Sequence, residues 1–104
     1  MDFIAERRLE LRLDASAVDV TVKIGRPEAA PSEGDWPCPY EIRFGDHCKS
    51  TAMHGVDSLQ ALQLTIATLD TELEYAARRC GGRLYHCDEP FLSVLESSDL
   101  EVRK

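Results

Sequence analysis

G-V-D-S-L-Q-A-L-Q-L-T-I-A-T-L-D-T-E-L-E-Y-A-A-R-R-C-G-G, from Gly55 to Gly82, is the stretch whose reading decides the fold. Leu59, Leu62, Ile66, Leu69, Leu73, Ala76 and Cys80 recur in it at spacings of three and four, which predicts one apolar stripe along an α-helix. Asp57 or Ser58 supplies the N-cap, since either side chain accepts from the free amides of the first turn, and Gly81 suits the left-handed residue after the last turn. A helix from Ser58 to Cys80 is about 35 Å long, and burying its large aliphatic side chains contributes about 7–15 kcal/mol of gross hydrophobic stabilisation.

Upstream, the pattern changes from a period near 3.6 to a period of two. Leu9, Leu11 and Leu13 alternate with Arg8, Glu10 and Arg12, and the run from Ile4 to Leu13 reads as a half-buried strand. After the turn Asp14-Ala15-Ser16, Val18, Val20, Val22 and Ile24 alternate with Asp19, Thr21 and Lys23, completing an antiparallel hairpin. Gly25 to Pro37 holds three prolines and little that is apolar, so it reads as an irregular connection. Trp36, Cys38, Tyr40, Ile42 and Phe44 then form a third strand with the largest side chains in the chain. Pro37 and Pro39 lie on its other face, and because neither carries an N–H, its first half is expected to lack a partner on one side.

Gly45-Asp46 turns the chain into a fourth strand, Cys48 to Met53. A two-residue turn would pair Phe44 with His47 and Ile42 with Lys49, pointing Lys49 at the core. A three-residue turn pairs Phe44 with Cys48, Ile42 with Ser50 and Tyr40 with Ala52, and sets Cys38 across from His54; it is the register expected here. Cys38 and Cys48 then sit at opposite ends of the hairpin. Beyond the helix, Arg83 to Cys87 reads as a short fifth strand ended by Pro90, and Phe91 to Lys104 as a short helix or a strand-like cover. The expected architecture is a single α+β domain over residues 1–104: two layers, an antiparallel sheet of four or five strands, and one long helix packed on one face. The other face carries Arg8, Glu10, Arg12, Asp19, Thr21, Lys23, Glu41, Arg43 and Lys49 and suits water, so a homodimer is expected through an edge strand or the Trp36 loop.

The chain has 104 residues, 43% hydrophobic and 30% charged, which is ordinary for a globular protein. Charged residues crowd the first ten positions, leaving no apolar signal region, and no apolar run reaches the length of a membrane span, so a cytoplasmic location is expected. The four cysteines are accordingly read as reduced thiols. A net charge of −7 argues against nucleic acid, which needs a basic face, and is compatible with a basic protein partner.

Three segments carry a resemblance. W-P-C-P-Y-E-I (Trp36 to Ile42), G-V-D-S-L-Q-A-L (Gly55 to Leu62) and G-G-R-L-Y (Gly81 to Tyr85) look like those of a family of small bacterial proteins of unknown function, in which a short β-region leads into a helix beginning G-x-D-S-x-Q-A-L. The likeness spans roughly the middle two-thirds of the chain. It implies a bacterial origin and a shared fold, and brings no activity or site with it.

Two chemistries can be drawn on these residues. His47, Cys48, Cys80, His86 and Cys87 are suitable zinc ligands if the Cys80 end of the helix returns toward the turn that holds Cys48. Their spacing is not that of a zinc module, no C-x-x-C pair is present, and buried cysteines acting as small core residues are the preferred reading. Cys38, His54 and Asp57 form a nucleophile, base and acid near the strand-to-helix junction. The absence of a nucleophile elbow or a glycine-rich phosphate loop leans against an enzyme, and Asp57 is already explained as a cap. The reading that remains is a non-catalytic protein-interaction domain without a cofactor, resembling an antitoxin- or immunity-like inhibitor of a basic partner. The alternatives are a small enzyme or metal site at the helix ends and a structural homodimer.

Overall fold

The computed structural model describes residues 2–31 and 34–91. Apolar and polar alternation draws the first half of the chain into four long strands, β1 (Phe3–Arg12), β2 (Ala17–Gly25), β3 (Trp36–Phe44) and β4 (His47–Gly55). The helix α1 (Ser58–Cys80) follows, then β5 (Arg83–His86) and the two-residue β6 (Glu89–Pro90). All six strands pair antiparallel in one open sheet, ordered β4-β3-β2-β1-β5-β6. The helix packs on one face, as an α+β two-layer fold requires.

Six strands replace the expected four or five. Cys87 and Asp88 adopt φ of 53° and 65°, a two-residue turn that returns the chain as β6. Pro90 therefore does not end the sheet; it sits at the sheet's edge, where a missing N–H costs no ladder bond. From residue 92 on, the expectation of a short helix or a strand-like cover lies outside the described residues. The prolines of β3 behave as their chemistry dictates: the β2–β3 ladder begins at Ile24–Tyr40, and the stretch before it pairs with β4 only.

The β3–β4 register is a correction. Phe44 pairs with His47, Ile42 with Lys49, Tyr40 with Thr51 and Cys38 with Met53, one residue from the expected alignment. Gly45 takes φ 56°, the left-handed first position of a two-residue hairpin turn whose twist matches the flanking strands. Lys49 consequently lies on the helix side of the sheet, not on the water-facing side, and its ammonium ion-pairs with Glu72 of α1. That contact holds the Lys49 pKa above its ordinary value, through the hydrogen bond first and the charge second. The pair's contribution is therefore present at neutral pH and fades only as pH rises past the ordinary lysine range. An inward lysine on an edge strand also blunts that edge against pairing with another chain.

The helix caps match expectation. Asp57 Oδ1 accepts from the Gln60 amide at 2.7 Å, while Gln60 Oε1 reaches back to the Val56 amide at 2.7 Å. At the other end Gly81 takes φ 66°, with Gly82 N bonded to Ala77 O and Gly81 N to Arg78 O. The buried stripe is a second correction. Asp70 is buried beside a row of fully or nearly buried positions, Ala61, Thr65, Leu69 and Leu73, and Ala77 packs behind them on the core. This is a row of every fourth residue, which is inclined to the helix axis. Such a row lets α1 cross the sheet obliquely, from contacts with β4 and β3 to contacts with β5. The expected stripe coincides with it at Leu69 and Leu73 and diverges at both ends, leaving Leu59 63% and Ile66 45% exposed and Cys80 at the surface. Thr65 is tolerated inside because its hydroxyl donates to the Ala61 carbonyl at 2.8 Å.

The core between the layers is Leu9 and Leu11 of β1, Val20 and Val22 of β2, Tyr40 and Ile42 of β3, Leu84 of β5, and Leu69 and Leu73. Among the described residues, no helix is long and apolar enough to cross a membrane.

Candidate functional site

The expected nucleophile, base and acid are not brought together. Cys38 is fully buried and its thiol donates to the Gly25 carbonyl at 3.6 Å, as a small core residue would. His54 pairs with Pro37, on the strand face away from Cys38, because the observed register places Met53 opposite Cys38. Its Nδ1 lies 2.8 Å from Asp35 Oδ1, so the acid beside this histidine is Asp35 rather than Asp57, whose side chain is used in capping. The Asp35–His54 pair was not legible in the sequence, since it joins a loop residue to a strand residue through the tertiary fold alone.

The candidate metal ligands are also dispersed. Cys48 lies on β4, the edge strand, while Cys80 ends the helix beside β5, four strand spacings or about 19 Å across the sheet. The Cys80 end of α1 therefore does not return to the turn holding Cys48. His86 ends β5 with its ring edge-on to Phe91, centroids 6.4 Å apart, and Cys87 occupies the following turn. His47 is exposed at the start of β4. Among the described residues no three His, Cys, Asp or Glu side chains converge on a common point.

Thiol chemistry here is governed by local contacts. Cys48 Sγ lies 3.0 Å from Glu41 Oε1, and that hydrogen bond, followed by partial burial, raises the thiol pKa. A small thiol reagent is expected to modify Cys48, Cys80 and Cys87 in the folded protein and to spare Cys38. Glu41→Gln should accelerate modification at Cys48 by at least about threefold at neutral pH, because more of the thiol ionises. Mass spectrometry of a timed labelling series reads both outcomes, and equal rates in the two proteins would contradict this assignment.

Three features of the helix layer stand out physically. Tyr40 is 2% exposed on β3, and burial followed by the charge of Glu72 raises its hydroxyl pKa. Around it Lys49 and Glu72 form a polar seam between sheet and helix on the β4 side. Elsewhere on the helix layer, Val56, Leu59 and Ile66 are 66%, 63% and 45% exposed, an apolar set at the first half of α1 that the oblique crossing leaves uncovered. Nearer the other end, a concavity of about 290 Å³ separates α1 from the β5–β6 hairpin, floored by Leu73, Ala77, Leu84 and Phe91.

Searches of curated proteins and of solved structures find no match to the chain. A family model does match, over residues 5–92, which takes in all but the first two residues of β1, the other three long strands, the helix and both short strands. The chain thus belongs to the DUF6968 family, a domain of unknown function.

Proposed function

We propose that this protein is a non-catalytic interaction domain of bacterial origin that acts on a basic protein partner, in the manner of an antitoxin- or immunity-like inhibitor. The observation that carries the reading is the exposure of Leu59 and Ile66 on α1, and of Val56 just before it, in a chain of net charge −7. Exposed apolar side chains grouped beside one rigid element mark contact surfaces, and an acidic chain favours and steers a cationic partner. The dispersal of Cys38, His54 and Asp57 supports a binding role over a catalytic one, because nucleophile and base need hydrogen-bond reach of each other.

Affinity capture with the tagged full chain from its own organism, at low ionic strength, should recover a protein of high isoelectric point. The Leu59→Ala, Ile66→Ala double variant should recover at least about tenfold less of it, since truncating central apolar anchors costs more than about 1 kcal/mol each. Retention by that variant at the wild-type level would overturn the assignment of the surface, and capture of only acidic proteins would overturn the class of partner.

A further inference from the structure

On the sheet face away from α1, the observed register arranges charges in rows. Thr21 of β2 stands between Arg8 of β1 and Arg43 of β3, with Cys48 of β4 beyond Arg43. Two residues along the strands, Lys23 stands between Glu6 and Glu41, with Ser50 beyond. An Arg-Thr-Arg row therefore lies beside a Glu-Lys-Glu row, about 7 Å away along the strands. Within one chain these charges hold each other loosely: Arg8 Nε is 3.8 Å from Glu6 Oε1 and Arg43 Nη2 is 3.9 Å from Glu41 Oε1. The Arg8 side chain is 83% exposed, and a depression of about 400 Å³ lies over Thr21 between the two arginines.

We propose that this face is a self-association surface whose occupant is a second copy of the chain, stacked face to face about a two-fold axis that runs across the strands between the two rows. Such an axis exchanges the rows. Arg8 of each copy then falls over Glu6 of the other and Arg43 over Glu41, while Lys23 falls over Thr21 and Ser50 over Cys48. The interface is isologous and its charges are self-complementary. An axis along β2 would instead place Arg8 over Arg43 and Glu6 over Glu41, so electrostatics selects one of the two simple stackings. Packed sheets lie about 10 Å apart, a gap that an arginine and a glutamate reaching from opposite sides can bridge. Both edges of the sheet are less suitable, since β4 carries the inward Lys49 and β6 has only two residues. The helix occupies the other face, so a basic partner and a second copy are compatible, and the failure of either proposal leaves the other standing.

Sedimentation velocity on the full chain should show a dimer at about 0.05 M salt, with the dissociation constant rising at least about tenfold by about 0.5 M salt, because exposed ion pairs are screened. Arg43→Glu and Glu41→Arg each superpose like charges and should each lower self-association at least about tenfold, with far-UV circular dichroism unchanged. Mixed in equal amounts, the two variants restore opposite charges at both positions and should form a 1:1 heterodimer. A wild-type protein that is monomeric at low salt, a dimer indifferent to either substitution, or a mixture that fails to reassociate would overturn the proposal.

Discussion

Gly55→Ala lowers the melting temperature by more than about 10 °C, a loss of about 2–3 kcal/mol or more from a domain of this size. Gly55 ends β4 directly beneath the first turn of α1, and a Cβ there would lie 2.4 Å from the Ala61 amide nitrogen and 2.8 Å from its Cα. Those are backbone atoms, so no rotamer change relieves the overlap, and the strand and helix must separate. Separation is costly because Ala61 and Thr65 are fully buried at this end of the helix. Small residues on both sides, Gly55 below and Ala61 above, are what let the two layers approach. Thermal unfolding followed by circular dichroism measures the effect, and a melting temperature within about 3 °C of wild type would show that the contact is not as close as described.

Leu73→Ala is expected to destabilise by about 2–5 kcal/mol, whereas Leu59→Ala on the same helix changes stability by less than about 0.5 kcal/mol. Leu73 is 3% exposed within the cluster of Leu9, Leu11, Val20, Ile42 and Leu84, and its truncation leaves a cavity that a packed sheet cannot close. Leu59 is 63% exposed and loses almost no packing. Urea unfolding of both variants separates the oblique row of buried residues from the straight stripe that the sequence suggests. Equal losses at the two positions would favour the straight stripe. Because Leu59 also belongs to the proposed partner surface, its variant should stay folded while losing affinity, which keeps a binding defect distinct from a folding defect.

These two expectations also locate what the molecule leaves open. The β4–β3 half of the sheet is covered by the start of α1 and the β5 side by its end, so the corner beside the first helical turns keeps apolar side chains in water. The opposite face keeps a checkerboard of charges. The first surface suits a foreign chain with apolar and basic groups, and the second suits a copy of itself.

The sequence by itself determined the four long strands, the helix and the short strand after it, though not β6, because each of these is written in local chemistry. Period-two alternation marked β1, β2 and β3; Asp57 and Gly81 marked the ends of the helix; and the missing N–H groups of Pro37 and Pro39 marked the part of β3 that forms no ladder with β2. Only the tertiary structure decided which faces meet. Gly45 and Asp46 are compatible with either a two-residue or a three-residue turn, and choosing between them moves Lys49, Thr51 and Met53 from one side of the sheet to the other. A hydrophobicity pattern disfavours Lys49 on the helix side because it does not contain Glu72, which is 23 residues away and reaches it only after the helix has docked. The same holds for the stripe: Leu59 looks more apolar than Ala61, but contact depends on how closely the layers approach, and a small residue over Gly55 wins. His54 shows the consequence for the candidate site, since its partner is set by strand register and loop position, and the residue nearest in sequence, Asp57, is taken by the helix end. From Gly55 to Gly82 the chain states that it is a helix; which row of that helix lies inside is fixed by the sheet beneath it.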